Sequence, residues 1–313
     1  MTRPLIIAHR GASGYRPEHT AEAKTLAHAM GADFLEQDLV ATADDELLVL
    51  HDVHLDRVTN VADCYPERAR ADGRYYARDF TLAEIRELRA WERMNADGSP
   101  VYPGRYPPRT GDFRLLALDE ELGLVARLNR EAGCETGVYP ELKRPAWHRA
   151  EGVDLAPLLC AKLRAAGYEG RAAPVFVQCF DPAELRRLRE QLGYPWRLVQ
   201  LIGINEWQEA DADYAAMQTA DGLREVAEYA DAIGPWLPLL YDVRPGTGPE
   251  PTGLADAARA AGLAIHAYTV RDDDLPDGFA SLGELVDFFT RRVGVDGFFT
   301  DFPDTLRELL DSA

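Results

Sequence analysis

The chain has 313 residues, with 34 Lys and Arg against 53 Asp and Glu, for a formal net charge of −19. Hydrophobic content of 46% and charged content of 28% are those of an ordinary globular protein, and no apolar run approaches the roughly 18 residues of a membrane-spanning helix. So acidic a chain repels nucleic acid and anionic membranes, and it accepts a phosphate only where cations are gathered locally.

Strand-like apolar runs fall at 5–8, 34–40, 47–50, 136–140, 175–178, 198–202, 231–233, 264–268 and 297–300. Amphipathic stretches at 21–30, 182–192, 222–229, 254–261 and 282–292 lie between many of them. Such alternation predicts parallel βα units, and their number over this length predicts an α/β fold of the TIM (β/α)8 barrel type. Nine runs is one more than a barrel needs. The second and third runs are separated only by 41–46, too short for a parallel crossover, and Thr42-Ala43-Asp44-Asp45 suits a tight reversal. A hairpin centred near Ala43–Asp44 would set residue 36 across from residue 51, with His51 beside Glu36. Residues 53–113 show no strand rhythm and one helical piece, 82–91, and read as an insertion over one end of a single domain spanning 1–313. The first run begins too early for a signal peptide to precede it, so the chain as written is expected in the cytoplasm. A periplasmic or secreted location would follow had a signal peptide been removed. Cys64, Cys134, Cys160 and Cys179 show no zinc spacing and no disulfide framework, and Cys179, in an apolar run, is expected to be buried.

Unusual polar residues gather at successive strand ends. His9-Arg10-Gly11 closes the first run, Glu36-Gln37-Asp38 lies in the second, His51-Asp52 closes the third and Glu141-Leu142-Lys143 the fourth. In a barrel those ends carry the active site. Glu36 and Asp38 are two apart and point to one side of a strand, as do Glu141 and Lys143. Three carboxylates aimed into a barrel repel one another unless a cation lies between them, and oxygen donors favour Ca²⁺ or Mg²⁺. Arg10 and Lys143 are candidates for a phosphate, and His9 and His51 for general acid and base. Singly, a His at a strand end is more often structural than catalytic, and a Glu-x-Asp pair more often solvated than ligating. The bland reading must put all of them at strand ends by coincidence. Of the other histidines, His19 and His28 are expected at the surface of the first helix and His54 and His148 in loops, while His266 could be core or pocket.

Residues 8–20 (AHRGASGYRPEHT), 34–40 (FLEQDLV), 50–52 (LHD), 139–143 (YPELK) and 299–304 (FTDFPD) resemble, in order and spacing, the motifs of the glycerophosphodiester phosphodiesterase family. Residues 72–76 (DGRYY) and 178–181 (QCFD) resemble its bacterial periplasmic-type, insertion-containing branch. The resemblance implies a TIM barrel with a short connection after the second strand. It implies one divalent ion on Glu36, Asp38 and Glu141, Ca²⁺ first and Mg²⁺ as the alternative. His9 and His51 would be the acid/base pair, Arg10 and Lys143 the phosphate contacts, and Glu18 a support orienting Arg10 or His9. His19 departs from the pattern, standing where many relatives have Asn. The implied reaction is hydrolysis of glycerophosphocholine, glycerophosphoethanolamine and similar small diesters to glycerol 3-phosphate and an alcohol. The expected course is attack by the neighbouring glycerol hydroxyl, with His9 as base and His51 protonating the leaving alcohol, and direct attack by water is the competing scheme. The rival functions are a phospholipase C-like enzyme acting on intact lipid, disfavoured by the acidic surface, and a non-catalytic binder of the same diesters. No nucleic acid or membrane insertion is expected.

Overall fold

The computed structural model, in which residues 3–312 other than 245 and 247 are described, contains strands β1 (Leu5–Ala8), β2 (Phe34–Ala41), β3 (Leu47–Val49), β4 (Gly137–Leu142), β5 (Phe176–Cys179), β6 (Arg197–Ile202), β7 (Ala232–Pro235), β8 (Tyr241–Arg244), β9 (Gly248–Pro251), β10 (Ala264–Val270) and β11 (Gly297–Thr300). Eight of them (β1, β2, β4, β5, β6, β7, β10 and β11) pair in parallel, and β1 closes the ring by pairing with both β2 and β11. Helices lie between the strands, so the fold is the expected TIM barrel. All nine expected strands are present. The ninth is β3, antiparallel to β2, and the helix normally found at this point is absent as predicted.

The hairpin register differs by one residue from expectation. Leu39 faces Val49, Val40 faces Leu48 and Ala41 faces Leu47, which centres the turn on Asp44. Asp45 adopts φ +59°, and Thr42 N donates to Glu46 O. His51 therefore comes beside Lys143, 3.3 Å away, rather than beside Glu36. The hairpin β8–β9 was not foreseen, because the alternation of Tyr241 and Val243 with Asp242 and Arg244 is only four residues long and its partner strand is Gly-Pro-Glu-Pro.

Strand period explains how the barrel is filled. Inward-facing Ile7, Phe34, Tyr139, Phe176, Val199, Ala232 and Phe299 form one cluster inside the barrel. Within it, the Tyr139 ring stacks on Phe176 at 5.0 Å and meets Phe299 edge-on at 5.0 Å. Two residues further along the same strand faces stand His9, Glu36, Gln178, Glu141 and Asp301. An aromatic floor thus turns into a polar layer at the strands' C-terminal ends, with no water-filled channel needed below it. Outside the barrel, Ile6, Leu35, Leu39 and Val138 pack against the helices.

Residues 53–113 fold over the C-terminal end with a core of their own, where Leu55, Val58, Phe80, Ile85 and Phe113 meet Val40, Leu48 and Leu50. The expected helix 82–91 is only Leu82–Ile85, opened by a capping box between Thr81 and Glu84. It stops early because Ala90 pairs with Phe113 and Thr59, which requires extended backbone. Cys179 is buried as expected, and all four cysteines are free.

Candidate active site

The chain leaves β1 through two left-handed residues, Arg10 at φ +60° and Gly11 at φ +91°. A Cβ on Gly11 would sit 2.8 Å from the Ala23 backbone, so only glycine fits. The turn aims Arg10 N at Glu36, whose Oε2 accepts its hydrogen bond at 2.8 Å. Parallel pairing sets Asp38 opposite Glu141, and Glu141 opposite Gln178. Glu36, Asp38 and Glu141 are buried, and one carboxylate oxygen from each lies within 4.8 Å of the others.

Burial, then the charge of Asp38, raises the Glu36 carboxyl above its usual range, and burial raises Glu141 well above its own. Burial opposes ionisation of Asp38 too, but His51, Lys143 and His19 around it outweigh that and hold it low. The trio is therefore short of positive charge. Asp38 Oδ1 is buried with no hydrogen-bond partner, and Lys143 Nζ stands 3.9 Å from it. An oxygen-only donor set with an unsatisfied carboxylate oxygen fits a divalent cation of the Ca²⁺ or Mg²⁺ kind.

His9 and His51 border the same cavity as the trio, a space of about 300 Å³ also lined by Arg10 and Lys143. His9 Nδ1 meets Asp301 Oδ1 at 2.6 Å, and His51 Nδ1 meets Asp52 Oδ1 at 2.6 Å. With Nδ1–H donating to a carboxylate, each Nε2 keeps a lone pair. Burial, then Arg10, lowers the His9 imidazole to about 4; burial, then Arg10 and Lys143, lowers His51 to about 3. Both are neutral near pH 7. Arg10 donates through Nη1 to Glu18 Oε2 at 3.0 Å, and Lys143 Nζ pairs with Glu141 Oε1 at 2.9 Å. The residues singled out in the sequence as catalytic, ligating and phosphate-binding thus line one cavity, and Glu18 stands behind Arg10.

Several contributors were missed. Asp52 and Asp301 hold the histidines; Arg93, Arg105 and Arg271 hold those two aspartates in turn. His19 is not at a helix surface: it is fully buried at φ +59°, with Nε2 2.8 Å from Asp38 Oδ2. The chain turns inward just before the first helix, a conformation invisible to helical periodicity. His28 is buried beside Asn129, and His148 lies in the helix Pro145–Ala150, accepting from Ala41 N at 3.1 Å. His266 belongs to the core, 2.7 Å from the Tyr139 hydroxyl.

Fold and cavity together define a TIM barrel whose C-terminal end gathers a carboxylate trio, two histidines, Arg10 and Lys143. The chain belongs to the glycerophosphoryl diester phosphodiesterase family, whose model matches residues 9–305. It is 39% identical to a glycerophosphodiester phosphodiesterase of Haemophilus influenzae over 98% of this chain and 89% of that one. It is 36% identical to one of Treponema pallidum over 96% and 90%. Among solved structures it resembles a Silicibacter pomeroyi protein assigned as a glycerophosphoryl diester phosphodiesterase, with 25% identity, TM-score 0.73 and coverage of 99% and 94%. The fold is also that of an Oleispira antarctica phosphodiesterase in complex with the product sn-glycerol-3-phosphate, with 19% identity, TM-score 0.65 and coverage of 99% and 97%. Among the described residues no helix is long and apolar enough to cross a membrane.

Proposed function

We propose that the chain hydrolyses small glycerophosphodiesters, such as glycerophosphocholine and glycerophosphoethanolamine, to glycerol 3-phosphate and the free alcohol. Glu36, Asp38 and Glu141 would hold one Ca²⁺ or Mg²⁺. The observation that carries this is the Asp38 Oδ1 left without a hydrogen bond within a buried carboxylate trio that shares its cavity with two carboxylate-held histidines. Glycerol 3-phosphate, the product bound to the Oleispira antarctica enzyme, is the product expected here. The whole chain would act as one catalytic domain with 53–113 as its insertion.

A bound divalent ion supplies positive charge against the carboxylates, the phosphate and the ionising glycerol hydroxyl. Arg10 offers its guanidinium fork and Lys143 its ammonium to the phosphate oxygens. His9, with Nδ1–H committed to Asp301, takes the proton of the neighbouring glycerol hydroxyl at Nε2. That hydroxyl attacks phosphorus, and His51 Nε2 gives a proton to the departing alcohol. Arg10 and Lys143 depress His51 in the free site. A bound phosphate offsets both charges and lets His51 carry that proton. Water then opens the cyclic phosphate with the two roles reversed.

The test is glycerol 3-phosphate release from glycerophosphocholine with Ca²⁺, with Mg²⁺ and with excess EDTA. Release is expected with a cation and is lost in EDTA, in His9→Ala and in Glu141→Ala. Release that persists in EDTA would break the account of the carboxylates. Bis(p-nitrophenyl) phosphate, which lacks a neighbouring hydroxyl, should turn over poorly; fast turnover would favour direct attack by water.

A further inference from the structure

The two histidines are held by the same arrangement built twice. Behind His9, the second oxygen of Asp301 accepts from Arg105 Nη2 at 2.7 Å. Behind His51, the second oxygen of Asp52 accepts from Arg93 Nη1 at 2.7 Å. Histidines and aspartates stand at or just beyond the ends of β1, β11 and β3. Both arginines belong to residues 53–113, which contribute nothing to the barrel sheet.

Each arginine is itself fixed. Arg93 forks Glu18 through Nε at 2.8 Å and Nη2 at 2.6 Å. Arg105 forks Asp273 at 2.8 and 3.0 Å, and its guanidinium lies over the Tyr102 ring at 3.7 Å. Their side chains are only 10% and 4% exposed. A buried guanidinium on the far oxygen locks the carboxylate rotamer, and the carboxylate fixes the imidazole plane and therefore the direction of Nε2. The two arms differ in one respect. Asp301 also accepts from Arg271 Nε at 2.8 Å, and Arg271 follows β10 of the barrel. Among the described residues Arg93 is the only side chain other than His51 that pairs with Asp52.

We infer that segment 53–113 is a working part of the catalytic apparatus: Arg93 and Arg105 are positioning residues that orient His51 and His9 through Asp52 and Asp301. The inference rests on the reading of the two histidines as the acid/base pair. It explains why a long segment without strand pattern is laid over the active end of the barrel. It also predicts unequal arms, since Asp301 keeps Arg271 when Arg105 is lost.

The test measures kcat and KM for glycerophosphocholine in wild type, Arg93→Met, Arg93→Lys, Arg105→Met, Asp52→Asn and the Arg93→Met/Asp52→Asn double variant, with thermal melts of each. Arg93→Met should lower kcat by about 10- to 100-fold, in the range for groups that orient a working histidine. KM should rise by less than kcat falls, any rise coming through Glu18 and the Arg10 it holds. Arg93→Lys should recover part of kcat, and Arg105→Met should cost less than Arg93→Met. In the Asp52→Asn background Arg93→Met should add little, because the group it holds is gone. A kcat near wild type in Arg93→Met, or full additivity in the double variant, would overturn the inference. Should Arg93→Met fail to fold, Arg93→Lys and Arg105→Met decide the matter: wild-type kcat in both would overturn it. An inactive, folded wild type would instead sink the functional reading, so the two failures are distinguishable.

Discussion

Replacing Asp301 with Asn tests the proposed role of His9 directly. Asp301 Oδ1 accepts from His9 Nδ1 at 2.6 Å, while Oδ2 accepts from Arg105 at 2.7 Å and Arg271 at 2.8 Å. The residue is 1% exposed, so water cannot substitute for either partner. An Asn side chain has one acceptor and one donor end. Two arginines demand the acceptor, so the amide NH2 is left facing His9. The imidazole must then accept at Nδ1 and carry its proton on Nε2, where no lone pair remains to take the glycerol proton. In a Ser-His-Asp triad the equivalent tautomer error costs about 10⁴ in kcat. Here a loss of about 10³ to 10⁴ is expected, some 4 to 5.5 kcal/mol at about 1.36 kcal/mol per tenfold. KM should change little, because the change reaches the reacting atoms only through His9. The assay is steady-state glycerol 3-phosphate release, with a thermal melt to show that the variant is folded. A folded Asp301→Asn protein within about fivefold of wild-type kcat would refute His9 as a proton carrier acting through Nε2.

Other parts of the molecule make separate predictions. Glu36→Gln removes one of three crowded carboxyls, so in EDTA the variant should melt at or above wild type. Ca²⁺ at a hundred times its dissociation constant should add about 2.7 kcal/mol to wild type and little to the variant; an equal Ca²⁺ shift in both would move the cation away from Glu36. Burial holds the His148 imidazole at about 4, against an unfolded value near 6.5. Between these pH values the unfolded chain binds a proton that the folded protein does not, so this contribution is complete above about pH 6.5 and is lost as pH falls toward 4. At about 1.36 kcal/mol per unit it amounts to roughly 3 kcal/mol. Urea unfolding of wild type and His148→Gln at pH 7.5, 6 and 4.5 should show a flatter dependence in the variant, and identical slopes would refute the assignment. Lys24 and Glu121 form a fully buried ion pair at 2.8 Å. Lys24→Met should cost about 3 to 5 kcal/mol, and adding Glu121→Gln should return part of it by removing the stranded charge; a double variant as unstable as the single one would count against that explanation.

Whatever depends on strand period was readable in the sequence. The barrel followed from short apolar runs alternating with helices, and the shared face of Glu36 with Asp38, and of Glu141 with Lys143, followed from a period of two. What depends on turn geometry or on distant partners was not. The left-handed Asp45 moved the β2–β3 register by one residue, which carried His51 from the neighbourhood of Glu36 to that of Lys143. The helix expected over 82–91 does begin at Leu82, but pairing of Ala90 ended it within one turn. Arg93 and Arg105 lie in a stretch with no periodicity, and only the fold brings them to Asp52 and Asp301. They also add to the electrostatic expectation. The sequence reading had Arg10 and Lys143, together with a metal ion, answer the −19 charge of the chain. In the structure Arg10, Arg93, Arg105, Arg271 and Lys143 are met by Glu18, Asp38, Asp52, Glu141, Asp273 and Asp301. Glu18, Asp38 and Asp301 each pair with two cations of this set. The arginines are therefore largely committed to holding carboxylates. On the proposed reading a bound cation would share the attraction of an anionic diester with Arg10 and Lys143, so calorimetric titration of the His9→Ala variant with glycerophosphocholine should show weaker binding in EDTA than with Ca²⁺, and equal affinity in both would refute that share.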